Sequence, residues 1–244
     1  MMSNKIGLII IGDEILSGKR QDKHMTHVLE TIAPIGRQLA WVKYLGDDEK
    51  QLTANFQQTL KGREAVFCFG GIGATPDDRT RQSIAKAANV PLLRHPEAVK
   101  EIETQFGEGA YPKRVLMAEF PQGSELIPNP VNRVAGFSFR NHYFFPGFPH
   151  MAWPMLGWVL NQYFTQLVEQ EVEKSIIIKQ TPESELIDLM LEIEAAYPQV
   201  KVFSLPHVGS ERYVELGIKG KESVDEAMAE IKAYLDGKNI TYEN

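Results

Sequence analysis

The chain has 244 residues, 43% hydrophobic and 24% charged, with 26 basic against 32 acidic side chains and a net charge of −6. That balance argues against non-specific binding to nucleic acid or a membrane surface, and the single cysteine, Cys68, excludes an internal disulfide or a cysteine-based zinc cluster. No run approaches the ~20 apolar residues of a membrane span, and the apolar run 6–11 leads straight into Gly12-Asp13-Glu14, so a cytoplasmic chain without a secretion signal is expected.

Residues 5–11 (KIGLIII) form a continuous apolar run of strand length, the pattern of a strand buried on both faces. Residues 12–18 follow as a loop or short turn. A helix runs from Asp22 to about residue 35, with Met25, Val28, Leu29 and Ile32 on one face, and 37–45 is a second strand. Asp48 and Gln51 resemble a capping box, opening a helix that turns Leu52, Phe56 and Leu60 to one side. The third strand, 65–69, enters a glycine-rich turn; a helix then reaches about residue 88, and 97–106 is another. Strands and helices alternating over short links predict a parallel sheet covered on both faces. Past Tyr111, prolines punctuate short apolar runs at 125–127, 136–140 and 143–145, the last two forming a hairpin around Asn141-His142. An apolar helix carrying Trp153 and Trp158 spans 151–168 and reads as core or interface. A composition shift at 170–174 introduces strand 175–179, helix 182–196, strands 200–205 and 213–219, and helix 223–235, with Thr181 and Pro182 as cap and first residue of the first of these helices. The sequence therefore predicts an α/β domain over 1–170 and a small two-layer α+β domain over 174–244.

The most informative stretch is FGGIGATPDDRT, residues 69–80. Glycines at 70, 71 and 73 let backbone N–H groups approach a phosphate, and Thr75 and Pro76 read as the start of a helix whose dipole favours an anion. Asp77 and Asp78 either cap that helix or face a cation shared with the ligand; a tight turn followed by ordinary N-terminal acids explains the same residues. Acidic pairs recur after the first two strands, at Asp13-Glu14 and Asp47-Asp48, where open parallel sheets hold their ligands. Three such pairs at one sheet edge would suit Mg²⁺ or another hard cation, or they cap loops and helices, a role that fits Asp48. FPGFP, residues 145–149, is a second strand-to-helix junction, whose Gly147 admits a ligand or simply turns the chain. His24 and His27 share one helix face. There is neither a Gly-x-Ser-x-Gly elbow nor a Walker A pattern.

In their order along the chain, IGDEILSG (11–18), LGDD (45–48), GGIGATPDDRT (70–80), LIPNP (126–130) and FPGFP resemble the IGxELLxG, VGDD, GGLGPTxDD, LPNP and LPGVP motifs of the MoaB/Mog-type molybdopterin-binding family in its CinA (competence/damage-inducible protein A) N-terminal form. The resemblance covers residues 5–165, and 175–235 look like the KH-type or ferredoxin-like domain that follows in CinA proteins. It implies a three-layer α/β/α fold with a mostly parallel sheet and a homo-oligomer that binds a pterin phosphate or a nucleotide diphosphate. In the CinA form it implies metal-dependent cleavage of ADP-ribose; the similar domain of FAD synthases cleaves FAD. Carried over by position, Gly70, Gly71, Gly73, Ala74 and Thr75 would hold phosphate and Gly147 and Pro149 would border the ligand. Asp78, Asp47 and Glu14 would be the catalytic residues and the ligands of a divalent Mg²⁺, Mn²⁺ or Co²⁺ ion. Molybdopterin binding with adenylyl transfer, or a non-catalytic binding module, would reuse the same residues. Three departures stand out: Asp22-Lys23-His24 in place of NTN, Asn132-Arg133-Val134-Ala135-Gly136 in place of GTAPG, and Leu116-Met117-Ala118 where Lys-Gln-Ala is expected. Arg133 is the candidate replacement for the missing lysine. Nicotinamide-mononucleotide deamidation, the work of the family's C-terminal domain, is not implied.

Overall fold

Side-chain alternation along the strands builds the first unit. In the computed structural model, which describes residues 5–166, 171–209 and 211–244, the chain divides into Met1–Val168 and Glu169–Asn244. The first unit runs β1 (Lys5–Ile11), α1 (Asp13–Leu16), α2 (His24–Ile32), β2 (Gln38–Leu45), α3 (Glu49–Thr59), β3 (Ala65–Phe69), α4 (Thr80–Ala88), β4 (Leu92–Arg94), α5 (Pro96–Phe106), β5 (Glu119–Pro121), β6 (Glu125–Ile127), β7 (Gly136–Phe139), β8 (His142–Phe145) and α6 (Pro149–Tyr163). Its main sheet has the order β2-β1-β3-β8-β7-β6; only β7 runs against the others. Successive strand residues point to opposite faces. Ile9, Ile11, Val66, Cys68 and Phe144 pack on one side against Leu52 and Phe56 of α3, Ile84 of α4 and Ile102 of α5. Leu8, Ile10, Phe67, Phe69 and Phe145 pack on the other against Val28 and Ile32 of α2 and Met155, Leu156 and Val159 of α6. Helices on both faces of a mostly parallel sheet give the expected three layers, and Cys68 is a buried free thiol whose pKa burial pushes up.

Several elements depart from expectation, each for a local reason. The helix after the glycines begins at Thr80, not Pro76, because residues 75–78 close a turn of their own: Asp78 N–H donates to Thr75 O at 3.0 Å. Helix α6 stops at Tyr163, since Phe164 leaves helical geometry and is buried beneath the Arg37 guanidinium; residues 167–168 of the predicted helix lie outside the described residues. The three-residue β4 and β5, paired in a separate small sheet, were not anticipated.

The second unit runs β9 (Val172–Lys179), α7 (Ile187–Ala196), β10 (Val200–His207), β11 (Tyr213–Gly220), α8 (Val224–Gly237) and β12 (Tyr242–Glu243). Its sheet order is β10-β11-β9-β12, every neighbour antiparallel. Two βαβ pairs thus interleave in the split arrangement of ferredoxin-like folds. Ile176, Ile178, Leu216 and Ile218 pack against Leu189 and Ile193 of α7 and Ala227, Ile231 and Leu235 of α8. Pro182 stays extended (φ −63°, ψ 144°) and a short turn precedes α7, so Pro182 is not its first residue. The expected boundary at 170–174 falls partly on Gln170, outside the described residues; 172–174 already belong to β9. No helix among the described residues is long and apolar enough to cross a membrane.

Candidate functional site

The chain passes from β1 to β2 on one side and then to β3 on the other, so a crevice opens beyond the carboxyl ends of β1 and β3. A cavity of about 500 Å³ occupies it. Its wall includes Glu14, Asp47, Gly70, Gly71, Gly73, Ala74, Thr75, Asp77, Asp78 and Gly147. Pro149, the first residue of α6, instead lines a small adjoining cavity with Glu14, Arg20, His24 and Phe148.

The glycine loop is held from both sides. Gly70 N–H donates to Phe145 O at 3.0 Å, tying the loop to the end of β8. Thr80 closes it by donating from N–H to Gly71 O and from Oγ1 to Gly70 O, both at 3.0 Å. Glycine is required at two positions. At Gly70 (φ +105°) a Cβ would lie 2.1 Å from Ile11 O, and at Gly71 (φ +67°) 2.3 Å from Thr80 Oγ1. Any side chain at 71 would therefore disturb the fold as well as a ligand. Among the described residues no protein acceptor meets the N–H groups of Gly71, Ile72, Gly73 and Ala74. Backbone donors of this kind, lining a cavity, suit an anion.

The carboxylates are partly committed to the protein. Asp78 Oδ2 accepts Thr75 N–H at 3.0 Å and the Thr75 hydroxyl at 2.5 Å, so it shapes the turn and does not cap α4. Asp47 Oδ2 accepts Asp13 N–H at 3.0 Å while Asp13 Oδ1 accepts Asp47 N–H at 3.2 Å, a reciprocal clasp between the loops after β1 and β2. Burial, reinforced by the charges of Asp13, Glu14 and Asp77, pushes the Asp47 carboxyl above its ordinary value, although the Asp13 N–H opposes this. Asp48 caps α3 by accepting Gln51 N–H at 2.7 Å. Glu14, Asp47 and Asp78 thus share one cavity, but no three Asp, Glu, His or Cys side chains among the described residues are arranged to hold a metal ion. The donor set does not fit a metal held by protein groups alone.

The remaining wall suits a flat ring. Phe106, Met117, Val134, Phe148 and Met151 supply apolar surface. Beside them, Asn129 donates through Nδ2 to Asn132 Oδ1 and Val134 O, at 2.8 and 2.9 Å, and accepts Val131 N–H at 3.0 Å.

Three basic residues take places the sequence did not reveal. Arg133 pairs with Glu101 at 2.8 Å and lines a different cavity, so it does not replace the missing lysine. Arg81 is buried, donating through Nη2 to Gly73 O at 2.6 Å and through Nη1 to Glu119 O at 3.2 Å and to Leu116 O. Arg20 lines the cavity beyond β1 and β3. Its position right after the IGDEILSG motif was the available signal; nothing local distinguishes Arg81. His24 and His27 hold ring contacts, His24 stacking on Phe69 with Nε2 3.1 Å from Gly147 O, and His27 on Trp153.

The model of the family described as "Probable molybdopterin binding domain" matches residues 7–166. A CinA-like protein of Anaeromyxobacter sp. is 28% identical over 187 residues, covering 73% of this chain and 46% of its own. One from Citrifermentans bemidjiense is 30% identical over 160 residues, covering 62% and 38%. The chain thus spans about half or less of the curated relatives it matches. The crystal structure of CinA from Thermoplasma acidophilum, a protein of unknown function, superposes with a TM-score of 0.60 at 24% identity over 66% of this chain and 98% of that one. That likeness concerns the fold alone.

Proposed function

The chain belongs to the family of the probable molybdopterin binding domain, and from that premise we propose that it binds a ligand made of a heteroaromatic ring and one or more phosphates, a pterin phosphate or a nucleotide diphosphate. One observation carries the reading: a single cavity joins the unengaged N–H groups of the glycine loop to an apolar wall and a pair of asparagines. The phosphate belongs against Gly71–Ala74 and the ring against Phe148 and Met151. Cleavage of the diphosphate is the finer proposal. Asp78, Asp47 and Glu14 are its acidic residues, and a dication among them would draw the rest of its shell from ligand phosphate and water, the usual habit of Mg²⁺. For the second unit, a KH-type assignment has less support than the ferredoxin-like order of its strands.

The test is a binding and hydrolysis screen of ADP, ADP-ribose, FAD and a pterin monophosphate, each with and without Mg²⁺, Mn²⁺ or Co²⁺. A bound ligand at a hundred times its Kd should stabilise the first unit by about 2.7 kcal/mol. Release of two monophosphates from ADP-ribose or FAD, only with metal, supports cleavage; binding without turnover retains the ligand reading alone. Failure of every candidate to bind at millimolar concentration overturns both.

A further inference from the structure

We propose that Arg20 supplies the positive charge that a phosphate meets in this cavity. The inference rests on the phosphate reading above and adds the residue that sets charge preference. Four carboxylates line the cavity, from Glu14, Asp47, Asp77 and Asp78, and Arg20 is the sole lysine or arginine lining it among the described residues. Without a cation the cavity would repel the anion that its backbone donors invite. The other nearby guanidinium groups lie outside the lining and bond elsewhere: Arg79 donates through Nε to Pro76 O at 3.2 Å, Arg81 donates to three carbonyls and Arg133 pairs with Glu101. Arg20 makes no ion pair among the described residues. Its backbone is fixed, with N–H donating to Glu14 O at 3.0 Å. Its guanidinium carbon lies 5.7 Å from the centroid of the Phe148 ring, in the loop before α6. A guanidinium resting near an aromatic face keeps its N–H edge available, and that edge matches two phosphate oxygens at once. Phe148, half-exposed at 47%, would then serve both the ring of the ligand and the arginine that holds its phosphate.

Titration calorimetry of the full chain with ADP and with pyrophosphate, on wild type, Arg20→Gln and Arg20→Lys, with and without Mg²⁺, tests this. Arg20 is exposed, so both variants should melt as wild type does. Arg20→Gln should weaken both probes by about 10- to 100-fold, and the loss should persist in Mg²⁺. Arg20→Lys should recover part of it, because charge returns without the fork. Wild-type binding of ADP that Arg20→Gln retains within about twofold, or that Mg²⁺ fully restores to the variant, overturns the role of Arg20 and leaves the phosphate reading standing. Absence of ADP and pyrophosphate binding by wild type overturns this inference, and the phosphate reading falls with it only when ADP-ribose, FAD and the pterin monophosphate also fail to bind.

Discussion

The carboxylate of Asp78 is engaged through one oxygen by the Thr75 N–H and hydroxyl, so its exchange for asparagine separates structure from chemistry. The amide oxygen of Asp78→Asn can still accept the Thr75 N–H, and the turn should lose no more than about 1 kcal/mol. An amide is a far poorer partner for a hard dication. Near-normal melting with hydrolysis of ADP-ribose or FAD down by roughly 100-fold is the expected outcome, a loss of the size seen when a group stabilising transition-state charge is removed. Retained hydrolysis would remove Asp78 from the chemistry. His142 gives a prediction of a different kind. It is buried, with Nε2 2.8 Å from the Thr59 hydroxyl. Burial, helped by the Arg140 charge, lowers its pKa from 6.5 to about 4. Between those values the unfolded chain binds a proton that the folded chain refuses. Stability from this group is therefore complete above pH 6.5 and falls as pH drops towards 4. The loss between pH 7 and pH 5 should be about 2 kcal/mol, and His24, also lowered chiefly by burial, adds in the same direction. Urea melts at the two pH values should show that loss in wild type and most of it abolished in His142→Gln; an equal loss in the variant would assign the effect elsewhere.

Helix α4 shows how an element can hold a site it does not line. Thr80, its first residue, closes the glycine loop, and Arg81, its second, reaches back to Gly73 O and across to the carbonyls of Leu116 and Glu119. Arg81→Met would keep the bulk and take the guanidinium away from those part-buried carbonyls, of which Leu116 O keeps only the Glu119 N–H. We expect a cost of about 3 kcal/mol in urea unfolding and weaker ADP binding, because the loop loses an anchor; unchanged stability would refute the clamp. This arrangement marks the limit of the sequence. Continuous apolar runs of strand length made β1 and β3 legible as strands buried on both faces, and the spacing of Asp48 and Gln51 gave the α3 cap. The start of α4 was not legible, because Thr75-Pro76 carries the signature of a helix start while Asp78 bonds back to Thr75 and closes a turn first. Nor were the partners of the arginines. A lone Arg in a loop looks the same whether it meets Glu101, as Arg133 does, or lines the cavity, as Arg20 does, and only the fold sets them apart.

At the scale of the whole chain, the cores bear on how it folds. Among the described residues, two apolar clusters draw every member from the first unit and the third draws every member from the second. A core shared by two units makes them melt together; separate cores permit separate transitions. The placement of tryptophan allows a direct test. Trp41, Trp153 and Trp158 are the chain's three tryptophans and all lie in Met1–Val168. Tryptophan fluorescence therefore follows the first unit, whereas far-ultraviolet circular dichroism follows both. In urea, the full chain should show one fluorescence transition and an additional dichroism transition with a smaller slope, since the slope scales with the surface exposed and the second unit is the smaller. A chain ending at residue 168 should reproduce the fluorescence midpoint of the full chain within about 0.3 M urea, less than the shift that 1 kcal/mol would cause at the usual slopes, and should bind ADP with unchanged affinity. Coincident transitions in the full chain, or a shortened chain that does not fold, would show that the second unit contributes to the stability of the first.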